Sequence, residues 1–231
     1  MNKQTATKNL DQLITKVEGA RLKISEHHIV KIIGVSKYST DADVKILYEA
    51  GQRAFGENKV QELIEKEAVL PKDIQWHLIG HLQTNKVKYI ASFIDTIQSV
   101  DSEKLLEEIN RQAEKNSRKI KVLLQIKIAE EESKFGLEMQ DAEEIFHNYL
   151  NGKFPHVEIT GLMGLATFTE NKDQTKKEFS FLKQIFDKMS LQKKLETLSM
   201  GMSDDYKIAI ECGANSVRVG SGIFGQRNYD K

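Results

Sequence analysis

The chain has 231 residues, 39% of them apolar, with 34 basic side chains balanced by 34 acidic ones. That length suits one large α/β domain or two small ones, and zero net charge removes the bulk electrostatic case for a nucleic acid or an anionic membrane surface. The only cysteine, Cys212, excludes an intrachain disulfide and a cysteine-built zinc cluster.

Residues 1–25 show an amphipathic helical pattern without the apolar core of a signal peptide. No window approaches the roughly 18 consecutive apolar residues of a membrane span. A cytoplasmic protein with no membrane association is therefore expected. From there, short apolar runs rich in β-branched residues alternate with helical patterns. The runs lie at residues 29–37, 53–57, 75–80, 94–100, 120–128, 157–165, 197–200 and 216–220, and predict eight strands. Among the intervening segments, residues 41–50 align Val44, Leu47 and Tyr48. Residues 101–114 align Leu105, Leu106 and Ile109, and residues 175–189 align Phe179, Leu182, Ile185, Phe186 and Met189. Thr40 or Asp41, Thr84, Asp101, Asp141 and Ser203 stand where helices should begin.

Strands alternating with helices imply a parallel sheet covered on both faces. Eight such units favour a single (β/α)8 TIM-type barrel over an open sheet, and barrels of about 250 residues are typical. Neither proline, Pro71 or Pro155, lies in a linker-like stretch, so one domain over residues 1–231 is expected. Little chain follows the eighth strand, so the extra N-terminal helix should cover the wall that a last helix would cover.

Function in such a barrel sits at the C-terminal ends of the strands. Lys37 ends the first run, and its apolar approach, IIGVS, would anchor the stem with the amine at the mouth. A sheltered lysine amine is a nucleophile toward carbonyls, although a strand-end lysine is more commonly a snorkelling surface residue. Asn58 and His81 follow the second and third runs. Ser199 and Gly201 close the seventh, where SMGMSDD offers a glycine turn and a helix start with N–H donors for a phosphate. Gly220-Ser221-Gly222 adds a second donor-rich loop after the eighth, and loops seven and eight are the usual phosphate site of these barrels. If Val217 and Val219 face the helices, Arg218 points inward. Its partner is then either a barrel carboxylate or a cofactor's aromatic nitrogen. His77 and His81 are four apart but lie on a strand-to-loop segment, so helical metal-ligand spacing does not apply and no metal site is expected. Cys212 is expected to be a buried apolar group on the helix after Ser203.

Taken together, VSK at 35–37, FGENKVQE at 55–62, WHLIGHLQTNK at 76–86, SKFGL at 133–137, GLMGLAT at 161–167, SMGMSDD at 199–205 and VRVGSGIFGQR at 217–227 resemble the YggS/PROSC family of pyridoxal phosphate homeostasis proteins. That family's barrel is similar to the N-terminal domain of alanine racemase. The resemblance covers nearly the whole chain. It implies pyridoxal 5′-phosphate (PLP) as cofactor and an internal aldimine on Lys37. It also implies phosphate contacts from Ser199, Gly201, Gly220 and Ser221, Arg218 opposite the pyridine nitrogen, and Asn58 beside the ring. Two local departures are Tyr38-Ser39-Thr40, where many relatives carry a Thr-Lys-Pro-like stretch, and Phe135, where a small residue is often found. Lys134 is a candidate for a second cofactor contact.

The implied role is a carrier with no catalytic residue, a monomer that hands PLP to PLP-dependent apoenzymes. The competing class is an amino-acid racemase. Against it, an arginine at the ring nitrogen weakens the electron sink, and racemases of this fold draw a second base from another domain or subunit. A third class, a sugar-phosphate aldolase using Lys37, predicts a colourless protein.

Overall fold

The computed structural model describes residues 2–130 and 135–225. Its eight strands are β1 (Lys31–Val35), β2 (Ala54–Glu57), β3 (Gln75–Leu78), β4 (Thr96–Val100), β5 (Ile120–Ile126), β6 (Val157–Gly164), β7 (Thr197–Ser199) and β8 (Ser216–Val219). They close in sequence order into a parallel barrel, with β1 hydrogen-bonded to β8. Each lies within one of the eight apolar runs. β1, β3, β4 and β5 are shorter than their runs by two residues or more and the other four by one, because barrel closure sets how many residues can pair. β1 ends at Val35, so Lys37 sits in the loop beyond it rather than at the strand end.

Helices wrap the outside: α1 (Lys3–Arg21), α2 (Asp41–Glu49), α3 (Val60–Val69), α4 (Glu103–Lys115), α5 (Met139–Leu150), α6 (Lys172–Ser190), α7 (Tyr206–Glu211) and α8 (Ser221–Phe224). Period-two alternation divides each strand between two cores. Phe55, Trp76, Leu78, Val122, Leu124, Val217 and Val219 face the helices in one continuous apolar layer. Ile33, Val35, Leu123 and Met163 are buried but stand apart from that layer, filling the barrel interior.

The N-terminal helix does what its pattern suggested. Asn2 accepts from the Thr5 amide and caps α1, whose Ala6, Leu10, Leu13, Val17 and Ala20 form a buried stripe at three- and four-residue spacing. That stripe packs on α2, α7 and α8, and Asn9 donates to the Ile223 carbonyl. It thus covers the seam where β8 meets β1, over which the four-residue α8 is too short to extend.

Helix starts differ from the expected caps in all but one case. Thr40 caps α2 through a reciprocal pair with Asp43. The start of α4 is capped by Ser102, which accepts from Leu105 N–H; Asp101 instead accepts from His81 Nδ1 at 3.0 Å. The 3₁₀ turn Thr84–Tyr89 begins after Gln83, α5 begins after Glu138, and α7 begins after Asp205. In each case the expected residue was drawn into a tertiary contact or lay a residue or more off the start. Cys212 is the C-cap of α7 and only half buried, which corrects the buried apolar expectation.

Candidate functional site

At the C-terminal mouth, β1 carries Gly34 opposite Val219 of β8. Continuing that register brings the segment after Val35 alongside the Gly220–Ser221 turn. On its other flank β1 pairs with β2, Val35 opposite Gly56, so Asn58 follows on that side. Lys37 is half buried between these two loops, Asn58 is half buried, and Ser221 is exposed. Beside the mouth, a cavity of about 530 Å³ opens between α3 and the 3₁₀ turn, lined by Asn58, Lys59, His81, Gln83 and Lys86 among others.

Loops seven and eight are tied together. Arg218 N–H donates to the Gly201 carbonyl at 3.0 Å, and Gly220 N–H donates to Ser203 Oγ at 3.3 Å. Gly201 has φ +91°, and a Cβ there would lie 2.6 Å from Ala209 Cβ. This glycine therefore serves the packing of α7 as well as the turn. The expected helix-start anion site is weakened, because α7 spans only six residues and the Asp205 carboxylate accepts Met202 N–H at its entry. An acid at that position opposes an anion. The Gly220–Ser221 loop is the more favourable source of donors.

Arg218 points inward as the alternation required. The residue is 3% exposed, and its guanidinium donates from Nη1 to Ser199 Oγ at 2.5 Å and from Nη2 to the Gly164 carbonyl at 2.9 Å. Among the described residues it joins no ion pair, so the barrel-carboxylate alternative fails. Burial holds it below the ordinary arginine range, at about 10, with the Asp205 charge opposing the shift. It is still a cation at neutral pH.

From Arg218 a hydrogen-bond chain crosses the barrel. Ser199 Oγ–H donates to Gln98 Oε1 at 2.7 Å, which leaves Gln98 Nε2 to donate to His77 Nδ1 at 3.0 Å. The Ser199 hydroxyl thus has both an acceptor and a donor inside the barrel, so its part at the mouth is to seat Arg218 before any contact with a phosphate. His77 must carry its proton on Nε2, which is buried without a hydrogen-bond partner among the described residues; the Asp95 carboxylate is 3.8 Å away. Burial pushes the imidazole down to about 3 from 6.5, with the Lys31 and Lys121 charges adding and Asp95 opposing.

That depression makes stability pH-dependent. Below pH 6.5 the unfolded chain takes up a proton that the folded state refuses until near pH 3, so stability falls as pH falls through this window. Between pH 7 and pH 5 this group should remove about 2 kcal/mol. Urea unfolding of wild type and His77→Gln at both pH values measures it. A wild-type pH slope no steeper than the variant's would refute the assignment.

The alanine racemase N-terminal domain family model matches residues 9–228. A pyridoxal phosphate homeostasis protein of Helicobacter pylori is 41% identical over 217 residues, covering 93% of this chain and 96% of that protein. The chain belongs to the pyridoxal phosphate homeostasis family. A human member is 38% identical over 87% of this chain and 78% of its own length. PipY of Synechococcus elongatus, solved with PLP bound, aligns over 95% of this chain and 100% of its own with 33% identity and a TM-score of 0.81. Alanine racemase of Clostridium difficile shares the fold, with a TM-score of 0.73 at 18% identity, over 98% of this chain and 57% of that one.

Family membership agrees with the sequence resemblance, and the barrel unites most of the residues it marked. Arg218 and Ser199 are bonded to each other, Gly201 and Gly220 join the same two loops, and Lys37 and Asn58 flank them. His81 is a hydrogen-bonded loop residue, bonded to Asp101 and stacked on Phe135 with ring centroids 4.2 Å apart. Lys134 lies outside the described residues. Sequence reasoning missed Gln98, Gly164 and the buried ion pair of Glu57 with Lys66, 2.6 Å apart. The available signal was a polar residue inside each apolar run, in IDTIQSV and in AFGE.

Proposed function

We propose that the chain holds PLP covalently through Lys37 Nζ, as a monomeric cytoplasmic carrier that supplies PLP-dependent apoenzymes and does not itself turn over amino acids. The observation that carries this reading is Arg218, a buried inward cation whose guanidinium bonds, among the described residues, only a hydroxyl and a carbonyl, beside the loop that follows its own strand. An aromatic ring nitrogen is an acceptor that suits it, and a relative solved with PLP bound supports that choice.

The donor set fits the cofactor. PLP supplies an aldehyde, which condenses with a primary amine and releases water, and a phosphate that needs donors. Lys37 provides the amine at the mouth. Gly220, Ser221 and Gly201 provide the phosphate loop, with Ser199 orienting Arg218, and Asn58 borders the ring. Arg218 has donors only and stays charged, so it offers the ring nitrogen a hydrogen bond but no readily released proton. A weak electron sink favours holding over turnover.

Reducing the protein as purified with borohydride should fix the cofactor mass to the Lys37 peptide and convert a visible absorbance to that of the reduced adduct. Mass on another lysine would overturn the assignment, and a colourless protein would favour an aldolase. Rapid conversion of one alanine enantiomer into the other would replace the carrier with a racemase.

A further inference from the structure

One helix grips the backbone on both sides of Lys37. On the N-terminal side, Lys66 Nζ of α3 donates to the Ser36 carbonyl at 2.7 Å and to Glu57 Oε1 at 2.6 Å. The same carboxylate oxygen accepts Ser36 Oγ–H at 2.6 Å. On the C-terminal side, Glu62 Oε2 of α3 accepts Tyr38 N–H at 3.1 Å. Glu62 and Lys66 are four apart, hence on one helix face. Tyr38 has φ +64°, a left-handed conformation that a non-glycine residue keeps only when its surroundings hold it. Ser39 N–H closes the turn onto the Ser36 carbonyl at 2.9 Å.

Stability alone does not account for the buried pair. Lys66 is 5% exposed and Glu57 is fully buried, yet Glu57 Oε2 has no hydrogen-bond partner among the described residues. Burying two charges costs enough that well-packed apolar residues commonly serve as well or better. What the pair provides instead is a fixed position for the Ser36 carbonyl and hydroxyl, one residue before the amine.

We propose that α3 is a two-point clamp that sets the direction of the Lys37 amine, with Glu57, Lys66 and Glu62 as positioning residues; this rests on Lys37 being the cofactor-bearing lysine. The clamp holds the turn in its left-handed form, so the amine stands at the mouth before any cofactor arrives, and ordering it then adds no cost to binding.

The test uses the full chain as Glu57→Leu/Lys66→Met, which removes both buried charges together, and as Glu62→Ala, which removes one rim contact. Reductive dimethylation of cofactor-free protein, followed at the Lys37 peptide, should run about fivefold to tenfold faster in the double variant, the equivalent of one to two hydrogen bonds. Amide exchange at Tyr38 and Ser39 should accelerate in both variants, and PLP retention should fall about tenfold in the double variant. A cooperatively folded double variant with wild-type labelling, exchange and retention overturns the clamp. If the double variant fails to fold, unchanged Tyr38 exchange and Lys37 labelling in Glu62→Ala overturn it. Cofactor found on another lysine in the wild type overturns the functional reading, while labelling and exchange still decide the clamp.

Discussion

Lys37→Ala should abolish covalent cofactor retention and leave the barrel folded. The amine is the only atom of that side chain the proposed link uses, and alanine offers no nucleophile in its place. The side chain lies in a loop past β1 and is half buried, outside both apolar cores. Its neighbours carry the structure: Ser36 N–H pairs with the Gly56 carbonyl, the Ser36 carbonyl accepts from Lys66 of α3, and the Ser36 hydroxyl donates to Glu57 of β2. The barrel and its two apolar cores are built without the Lys37 side chain, so a cooperative unfolding transition should remain. Intact-mass and peptide analysis after borohydride reduction reads the first effect, and urea unfolding reads the second. Cofactor mass persisting on the variant, or loss of its cooperative transition, would contradict the prediction.

Gly161→Ala should do the opposite and remove the fold and the site together. Gly161 of β6 lies opposite Thr197 of β7 at an irregularity in the β5–β6 register. A Cβ there would stand 1.8 Å from the Thr197 carbonyl oxygen and 2.6 Å from its carbon. Both are backbone atoms, so no rotamer change relieves the clash and the two strands must separate. β7 has only three residues, which leaves little pairing to absorb the shift. A loss of at least about 4 kcal/mol is expected, a large share of a typical domain's stability of about 5–15 kcal/mol. The same strands carry Gly164, whose carbonyl takes Arg218 Nη2, and Ser199, so PLP retention should fall with the melting temperature. Gly19→Ala is the matched control. Nothing lies within 4 Å of a Cβ at that position in α1, so a gain of about 0.5–1 kcal/mol follows from helix propensity. Thermal melts of both variants beside wild type decide the matter, and a Gly161→Ala melt within a few degrees of wild type would show that the barrel can open a seam.

The two effects come from different levels of organisation. Lys37 matters for its chemistry and is replaceable in the fold. Gly161 has no chemistry and is irreplaceable, because two backbones meet where its side chain would be.

What could be recognised in advance follows the range of the forces involved. The eight strands were legible because burial on both faces of a parallel sheet leaves an uninterrupted apolar run in each. The N-terminal helix was legible because its stripe at three- and four-residue spacing has no other use. Arg218 was legible as an inward cation from the alternation of Val217 and Val219 alone, and the ordered motifs marked Lys37, Asn58 and the two glycine loops as one family's constellation.

The partners of those residues were not legible, since each is supplied from elsewhere in the chain. Ser199 and Gln98 are 101 positions apart and share a hydrogen bond. Lys66 looks like an ordinary charged helix residue until α3 docks with that face turned to Ser36 and Glu57. Helix starts depended on the same thing, for Asp101 could cap α4 or hold His81, and closure of the barrel chose the histidine.

The amino-acid sequence by itself determined the alternation, the barrel and the side chains that could carry the chemistry, because apolar periodicity and residue type act locally. Only the tertiary structure decided which hydroxyl, carbonyl and carboxylate each buried charge would meet. A charge taken out of water must find its partner in space, and barrel closure sets that distance without regard to separation along the chain.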